Sequence, residues 1–149
     1  MHFASSIFRL YRVKAKYHSG CPIAFALDLI GDRWSLLVLR DIMLWDKQYY
    51  DEFVGSAEGI STNILADRLK QLEADGLVSR RQDDNNRRKF IYRPTEKAMD
   101  LLPMLLEMAV WGARYDKNTA APPEVIAHIR NDREGFIAGV RKKFIAKSS

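Results

Sequence analysis

The 149 residues suffice for one ordinary domain with an appendage, and at 47% hydrophobic and 11% aromatic they can bury a sizeable core, which excludes a disordered chain. The formal net charge of +5 is unevenly spread: residues 21–79 carry 5 basic and 10 acidic side chains, whereas residues 80–93 carry 6 and 2, a compact basic patch that favours a polyanionic partner. A single cysteine, Cys21, excludes an internal disulfide or a Cys-rich metal cage and suits a reducing compartment such as the cytoplasm, and Asp28, Arg40 and Glu107 interrupt the longest apolar runs, so none approaches a membrane span.

Residues 1–20 hold Arg9, Arg12, Lys14 and Lys16 and no acid, and read as a basic arm or helix. They share that composition with organelle transit peptides but lack the apolar run of a secretory signal. Pro22 opens a helix over residues 22–30, because a missing N–H costs nothing in the first turn, and Gly31 ends it. Asp32 is a natural N-cap for a helix over residues 34–44, in which Trp34, Leu37, Val38, Asp41 and Ile42 recur at helical spacing. A short helix follows over residues 49–54, and Gly55, Ser56 and Gly59 supply a turn.

The stretch "GISTNILADRLKQLEADGLVSRR" is the most informative. Ser61 caps a helix over residues 61–75, with Ile60 and Leu65 placed to close a hydrophobic staple. Leu65, Leu69 and Leu72 share its core face, Asn63, Asp67, Lys70 and Gln71 occupy the opposite one, and Gly76 suits the left-handed position that stops it. The runs "LVSRRQ" and "KFIYRP", separated by "DDNNRR", predict a two-stranded hairpin with a charged tip. Thr95 and Glu96 open a long helix with Ala98, Leu101, Leu102, Leu105, Met108, Ala109 and Gly112 as its apolar stripe, interrupted and open to kinking at Pro103. After the break "NTAAPP", residues 124–144 read as one last helix with Val125, Ile129, Phe136 and Val140 as apolar points.

Helix, helix, turn, helix and hairpin within residues 32–93 is the order of a winged helix-turn-helix, a mainly α (α+β) fold. A major groove admits one helix, which needs short polar side chains on its reading face and an apolar back. Thr62, Asn63, Asp67 and Lys70 meet the first need and the three leucines the second. Ser61 is placed to cap the helix while its N-terminal amides meet a phosphate. Asp67 either accepts from a cytosine amine or fixes Arg68 or Lys70, and Arg68 is equally suited to a structural pair and a phosphate. On the hairpin, Asn86, Arg87, Arg88 and Lys89 suit a minor-groove or phosphate contact, the plainer alternative being a solvated charged turn.

At this point the chain resembles the HxlR family of bacterial and archaeal transcription regulators, relatives of the MarR winged-helix proteins. The likeness runs from about residue 21 to 111 and rests on "CPIAFALDLIGDRWSLLVLRDIM", "GISTNILADRLKQLEADGLVSRR" and "YRPTEKAMDLLPMLLEMAVWG". It implies a homodimer that binds an inverted-repeat operator in double-stranded DNA, with the Ser61-capped helix in the major groove and the hairpin as wing. It also implies dimer contacts from residues 22–30 and 95–145. Residues 21–116 would form the winged-helix domain, flanked by a basic arm at 1–20 and a helical extension at 117–149. Both ends depart from the short family pattern.

Cys21 has two readings. At a helix N-terminus the partial positive charge stabilises a thiolate open to oxidants and electrophiles, and some members of the family use a cysteine at the matching position to sense oxidants, quinones or aldehydes. The plainer alternative is a small buried residue in the dimer interface. Trp34, Trp45 and Trp111 resemble a ligand box, but Trp34 and Trp111 are read as core and dimer surface. His2, His18 and His128 have no metal-ligand spacing and there is no Gly-rich phosphate loop, so the sequence reads as a non-enzyme without cofactor. A transcriptional repressor is the expectation; the competing one is a winged helix that docks protein or RNA.

Overall fold

The computed structural model describes residues 19–147, so the basic arm lies almost wholly outside the described residues. α1 (Pro22–Ile30) begins at its proline, and α2 (Arg33–Met43) begins where the Asp32 carboxylate accepts from the backbone amides of Trp34 and Ser35, both at 2.9 Å. α3 (Tyr50–Val54) is short because Gly55 and Gly59 follow it. α4 (Thr62–Ala74) starts where the Ser61 hydroxyl accepts from the Ile64 amide at 3.3 Å, with Ile60 and Leu65 both buried as the staple requires.

Its C-terminus closes with both hydrogen bonds of a Schellman motif, Leu77 N–H to Leu72 C=O at 2.8 Å and Gly76 N–H to Glu73 C=O at 3.1 Å. Gly76 takes the left-handed conformation, φ 72°, that this motif demands. β1 (Val78–Gln82) and β2 (Phe90–Pro94) pair antiparallel, Val78 opposite Pro94 and Gln82 opposite Phe90. Tyr92 N–H also donates to Gln48 C=O at 2.8 Å, so the segment before α3 lies along the free edge of β2. The fold is a winged helix-turn-helix, as the order of elements predicts.

The C-terminal third differs from expectation in two places. The helix expected from Thr95 onward is two, α5 (Glu96–Met99) and α6 (Leu102–Tyr115), separated at Asp100 and Leu101. Pro103 therefore lies in the first turn of α6, where it kinks nothing. Within α6, Leu102, Leu105 and Leu106 are buried, while Met108, assigned to the same stripe, faces outward. The last predicted helix is also two, α7 (Pro123–Asn131) and α8 (Arg133–Ala146). Asp132 (φ −145°, ψ 66°) leaves the helical region between them, and its carboxylate caps α8 at the Gly135 amide.

The core gathers Val38, Leu39 and Ile42 of α2, Phe53 of α3, the three leucines of α4, Leu77, Val78 and the inner face of α6. Ile129 and Val140 join it, with Ile126, Phe136, Ile137 and Phe144 packed around them, so α7 and α8 fold back onto the winged helix. Val125, expected as an apolar point, is exposed.

Candidate nucleic-acid interface

α4 has the two faces that groove reading requires. Leu65, Leu69 and Leu72 are at most 2% exposed, while Ser61, Thr62, Asn63, Asp67 and Lys70 all face solvent. Both ends are held from outside the helix. The Tyr50 hydroxyl donates to Thr62 C=O at 2.8 Å, fixing the first turn to α3. At the other end Lys97 Nζ donates to Asp75 C=O at 2.7 Å and the Thr95 hydroxyl to Gly76 C=O at 2.6 Å, a cation and a donor on the negative end of the helix dipole.

Arg68 differs from its exposed neighbours. Its guanidinium lies 2.5 Å from Asp67 Oδ2 and 3.4 Å from Asp32 Oδ2, and its side chain is only 20% exposed. It thus ties α4 to the N-cap of α2, the structural pairing among its two readings. Partial burial opposes ionisation of Asp32. The Ser35 hydroxyl, the Ser35 and Trp34 amides and the Arg68 charge outweigh it and hold the carboxyl below its ordinary range. Asp32, half-buried Trp34, Asn63, Ile64, Asp67 and Arg68 line one shallow concavity along the reading face.

Between the end of α2 and the turn that precedes α4 lies a charge network that sequence reasoning missed. The Asp41 carboxylate, 4% exposed, accepts from Arg40 Nη2 at 2.6 Å, from Lys47 Nζ at 3.1 Å and from the Ser56 hydroxyl. Arg40 also donates to Glu58 at 2.6 and 3.0 Å, and its guanidinium lies over the Trp45 ring at 3.8 Å. Its hydrogen bonds pull the Glu58 carboxyl down to about 2. Burial alone would favour loss of the Arg40 proton, but Glu58 and Asp41 raise its pKa instead. Ser56 and Glu58 lie in the turn between α3 and α4, so the network fixes that turn to the end of α2. The available signal was Asp41 inside an apolar i, i+3, i+4 stripe, because a buried carboxylate has to be paired.

On the wing, Asn86, Arg87, Arg88 and Lys89 are all exposed. The turn is held by Asp83 N–H to Lys89 C=O at 2.9 Å and by the Asp83 carboxylate, which accepts from the Asn85 amide at 3.0 Å and the Tyr49 hydroxyl at 2.9 Å. The Asn85 amide, then Tyr49, keep the Asp83 carboxyl below its usual range. Asn86 accepts from the Arg88 amide at 3.2 Å and so shapes the tip. Lys89 Nζ is paired with Asp51 of α3 at 3.0 Å, a hydrogen bond that raises the lysine pKa and lowers that of the aspartate. The patch is therefore not uniform: Arg80 pairs with Glu73 and Arg81 with Asp84, while Arg87 and Arg88 form no ion pair among the described residues.

Cys21 is the N-cap of α1 and is exposed, its own amide donating to the Ser19 hydroxyl at 3.3 Å. α1 exposes Ile23, Phe25 and Leu27, and α6 exposes Met104, Met108, Trp111 and Tyr115, the last two in contact with centroids 5.2 Å apart and rings tilted by 49°. Trp34 is half-buried beside the reading face, Trp45 is exposed and Trp111 is 68% exposed, so the three form no box. Among the described residues no group of three or more His, Cys, Asp or Glu is placed to hold a metal, and no helix is long and apolar enough to cross a membrane.

A family model described as HxlR-like helix-turn-helix matches residues 29–120. An HTH-type transcriptional regulator of Halalkalibacterium halodurans is 32% identical over 108 residues, 72% of this chain and 96% of that protein. Among solved structures, the redox regulator HypR in its oxidised form superimposes with a TM-score of 0.58 at 32% identity, covering 65% of this chain and 99% of that one. Quinone-bound YodB from Bacillus subtilis does so with a TM-score of 0.52 at 32% identity, covering 64% of this chain and 100% of that one.

Proposed function

The chain belongs to the HxlR-like helix-turn-helix family and is a transcriptional regulator of helix-turn-helix type, and on that premise we propose that it is a homodimeric repressor that binds an inverted-repeat operator in cytoplasmic DNA. Thr62, Asn63, Asp67 and Lys70 face base edges, with Asp67 accepting from a cytosine amine. Ser61, Arg87, Arg88 and Asn86 position the backbone, Lys89 contributes only as far as Asp51 releases it, and Arg68 holds Asp67.

The observation that carries this reading is the pairing of a rigid helix, apolar behind and polar in front, with a wing whose two tip arginines have no ion-pair partner among the described residues. The exposed apolar side chains of α1 and α6 support a second copy as partner. Two reading helices related by that dyad would engage half-sites about 34 Å apart.

The test is a salt titration of duplex affinity. Arg87→Ala with Arg88→Ala should weaken binding nearly uniformly over sequences and flatten the log–log salt slope by about 0.9 for each phosphate left unneutralised, about 3.6 for four arginines in a dimer. Asn63→Ala should instead relax discrimination at particular base pairs by roughly 1–3 kcal/mol. If neither change alters duplex binding, the operator reading fails and a protein- or RNA-docking winged helix takes its place.

A second reading concerns the signal. Cys21 is exposed at a helix N-terminus, where a thiolate is stabilised, and the similar structures include a named redox regulator and a quinone-bound protein. Treatment with diamide or a quinone should change operator affinity in the wild type and not in Cys21→Ser; unchanged affinity in both removes the sensor.

A further inference from the structure

The family match ends at residue 120, so α7 and most of the chain that returns from α6 lie beyond it. α8 does more than cover the core. Its end is fastened to two segments that frame the base of the wing. The Arg93 guanidinium of β2 donates to Lys147 C=O at 2.8 Å, placing a cation on the negative end of the helix dipole. The Lys147 ammonium is in turn paired with Asp46, in the segment between α2 and α3. Two residues further along that segment, Gln48 C=O receives the Tyr92 amide of β2. One turn and a half before Lys147, Arg141 donates to Glu96 at 2.7 Å and to Asp100 at 3.2 Å, in and just after the α5 that follows the wing. Near the start of α8, Arg133 pairs with Glu107 of α6.

We propose that α8 is a brace that sets the orientation of the wing, with Lys147, Asp46 and Arg93 as positioning residues for duplex binding. The proposal rests on the DNA-binding reading given above. Each pair is solvent-accessible and singly weak, but Lys147 grips the α2–α3 segment with its side chain and β2 with its carbonyl, so it closes a ring around the wing root. A hairpin of two strands is marginal by itself and takes its orientation from what holds its base. The brace lies away from the tip arginines, because Arg93 is next to last in β2 whereas Arg87 and Arg88 lie in the turn that precedes that strand.

The charges make the test decisive. If these residues acted on DNA only through their charge, Asp46→Asn would strengthen duplex binding and Lys147→Gln would weaken it. If they act through the wing, both weaken it. Both positions are on the surface, and Asp46 has φ 58°, a left-handed conformation that asparagine shares, so Asp46→Asn preserves the backbone.

The first readout needs no DNA: amide hydrogen exchange across residues 78–94 of the free full-length protein, which should quicken in both variants. The second is affinity for fluorescein-labelled 40-base-pair duplexes selected from a random library by the wild type. Each variant should bind about threefold to tenfold more weakly, within the range over which residues remote from a ligand modulate its binding. In a background of Arg87→Ala with Arg88→Ala, Asp46→Asn should cost less than about twofold, since the wing it orients no longer contributes. Unchanged exchange, opposite affinity shifts in the two variants, or equal losses in both backgrounds would each overturn the brace. A wild type that selects no duplex, with exchange still quickened by Asp46→Asn, would leave the brace standing and refute the operator reading instead.

Discussion

Removing the Asp41 carboxylate should be the most damaging single polar change in the helix-turn-helix. The side chain is 4% exposed and accepts from Arg40, Lys47 and Ser56 at once. Deleting one partner of a buried ion pair costs about 3–5 kcal/mol, because the other charge is stranded. Here the stranded cations are 17% and 20% exposed, Arg40 keeps Glu58 and Lys47 keeps Ser56, which places Asp41→Ala at the lower end, about 3 kcal/mol. With an unfolding entropy of about 2.1 cal/mol/K per residue, the chain loses about 0.3 kcal/mol per kelvin, so Tm should fall about 10 °C. Asp41→Asn retains the volume and one acceptor and should lose about half as much. Circular dichroism melts at pH 7, with urea denaturation for the free energy, measure both. A Tm drop under about 3 °C for Asp41→Ala would show that the network is surface decoration and not what fixes the turn before α4.

Other expectations test separate parts of the structure. Glu58 titrates near 2 when folded against 4.5 ordinarily, so its pair with Arg40 contributes fully above about pH 5 and is lost as pH falls toward 2. Glu58→Gln should remove that share of the acid sensitivity from the urea midpoint; an unchanged pH profile refutes it. Gly76→Ala should cost about 1 kcal/mol by chemical denaturation, since φ 72° penalises any Cβ although nothing lies within 4 Å of one, and Gly76→Asn should cost less. Lys89→Ala should weaken duplex binding less than Arg87→Ala or Arg88→Ala in the same salt titration, because Asp51 already holds the ammonium at 3.0 Å. Equal losses would mean that the pair opens at no cost when DNA arrives.

The parts of this fold that could be read from sequence are those whose causes lie within a few residues. Ser61 with its staple, Gly76 with its Schellman bonds, and the Asp/Asn turn of the wing each depend on hydrogen bonds spanning six residues or fewer. The misreadings have a common origin in the same locality. An apolar stripe continues across Asp100 and Leu101 and across Asp132, so periodicity alone joins α5 to α6 and α7 to α8. The break before Leu102 accompanies a core whose position the local pattern does not contain, whereas the break at Asp132 carries a local cap, its carboxylate at the Gly135 amide, that periodicity alone passes over. The site divides the same way. Exposure of Asn63 and Lys70 follows from the helical wheel, whereas Arg68 turns toward Asp32 and Lys89 toward Asp51, partners 36 and 38 residues away in the chain.

Those long-range pairs change what the charge distribution means. Six cations at residues 80–93 suggest a wing with six phosphate contacts, and six more at residues 130–149 suggest a second basic surface. In the folded chain Arg80, Arg81 and Lys89 each face a carboxylate and Arg93 a helix C-terminus, which leaves Arg87 and Arg88 at the tip. In the C-terminal segment Lys147 faces Asp46 of the acidic stretch at residues 21–79, and Arg133 and Arg141 face Glu107 and Glu96 of the helices that follow the wing. Much of the basic excess is therefore engaged in holding the molecule together, because opposite charges segregated along the chain attract when it folds back on itself. Counting basic residues overstates the number of counterions that DNA binding can release. The salt slope should accordingly follow the two tip arginines and the exposed reading helix, not the net charge of +5.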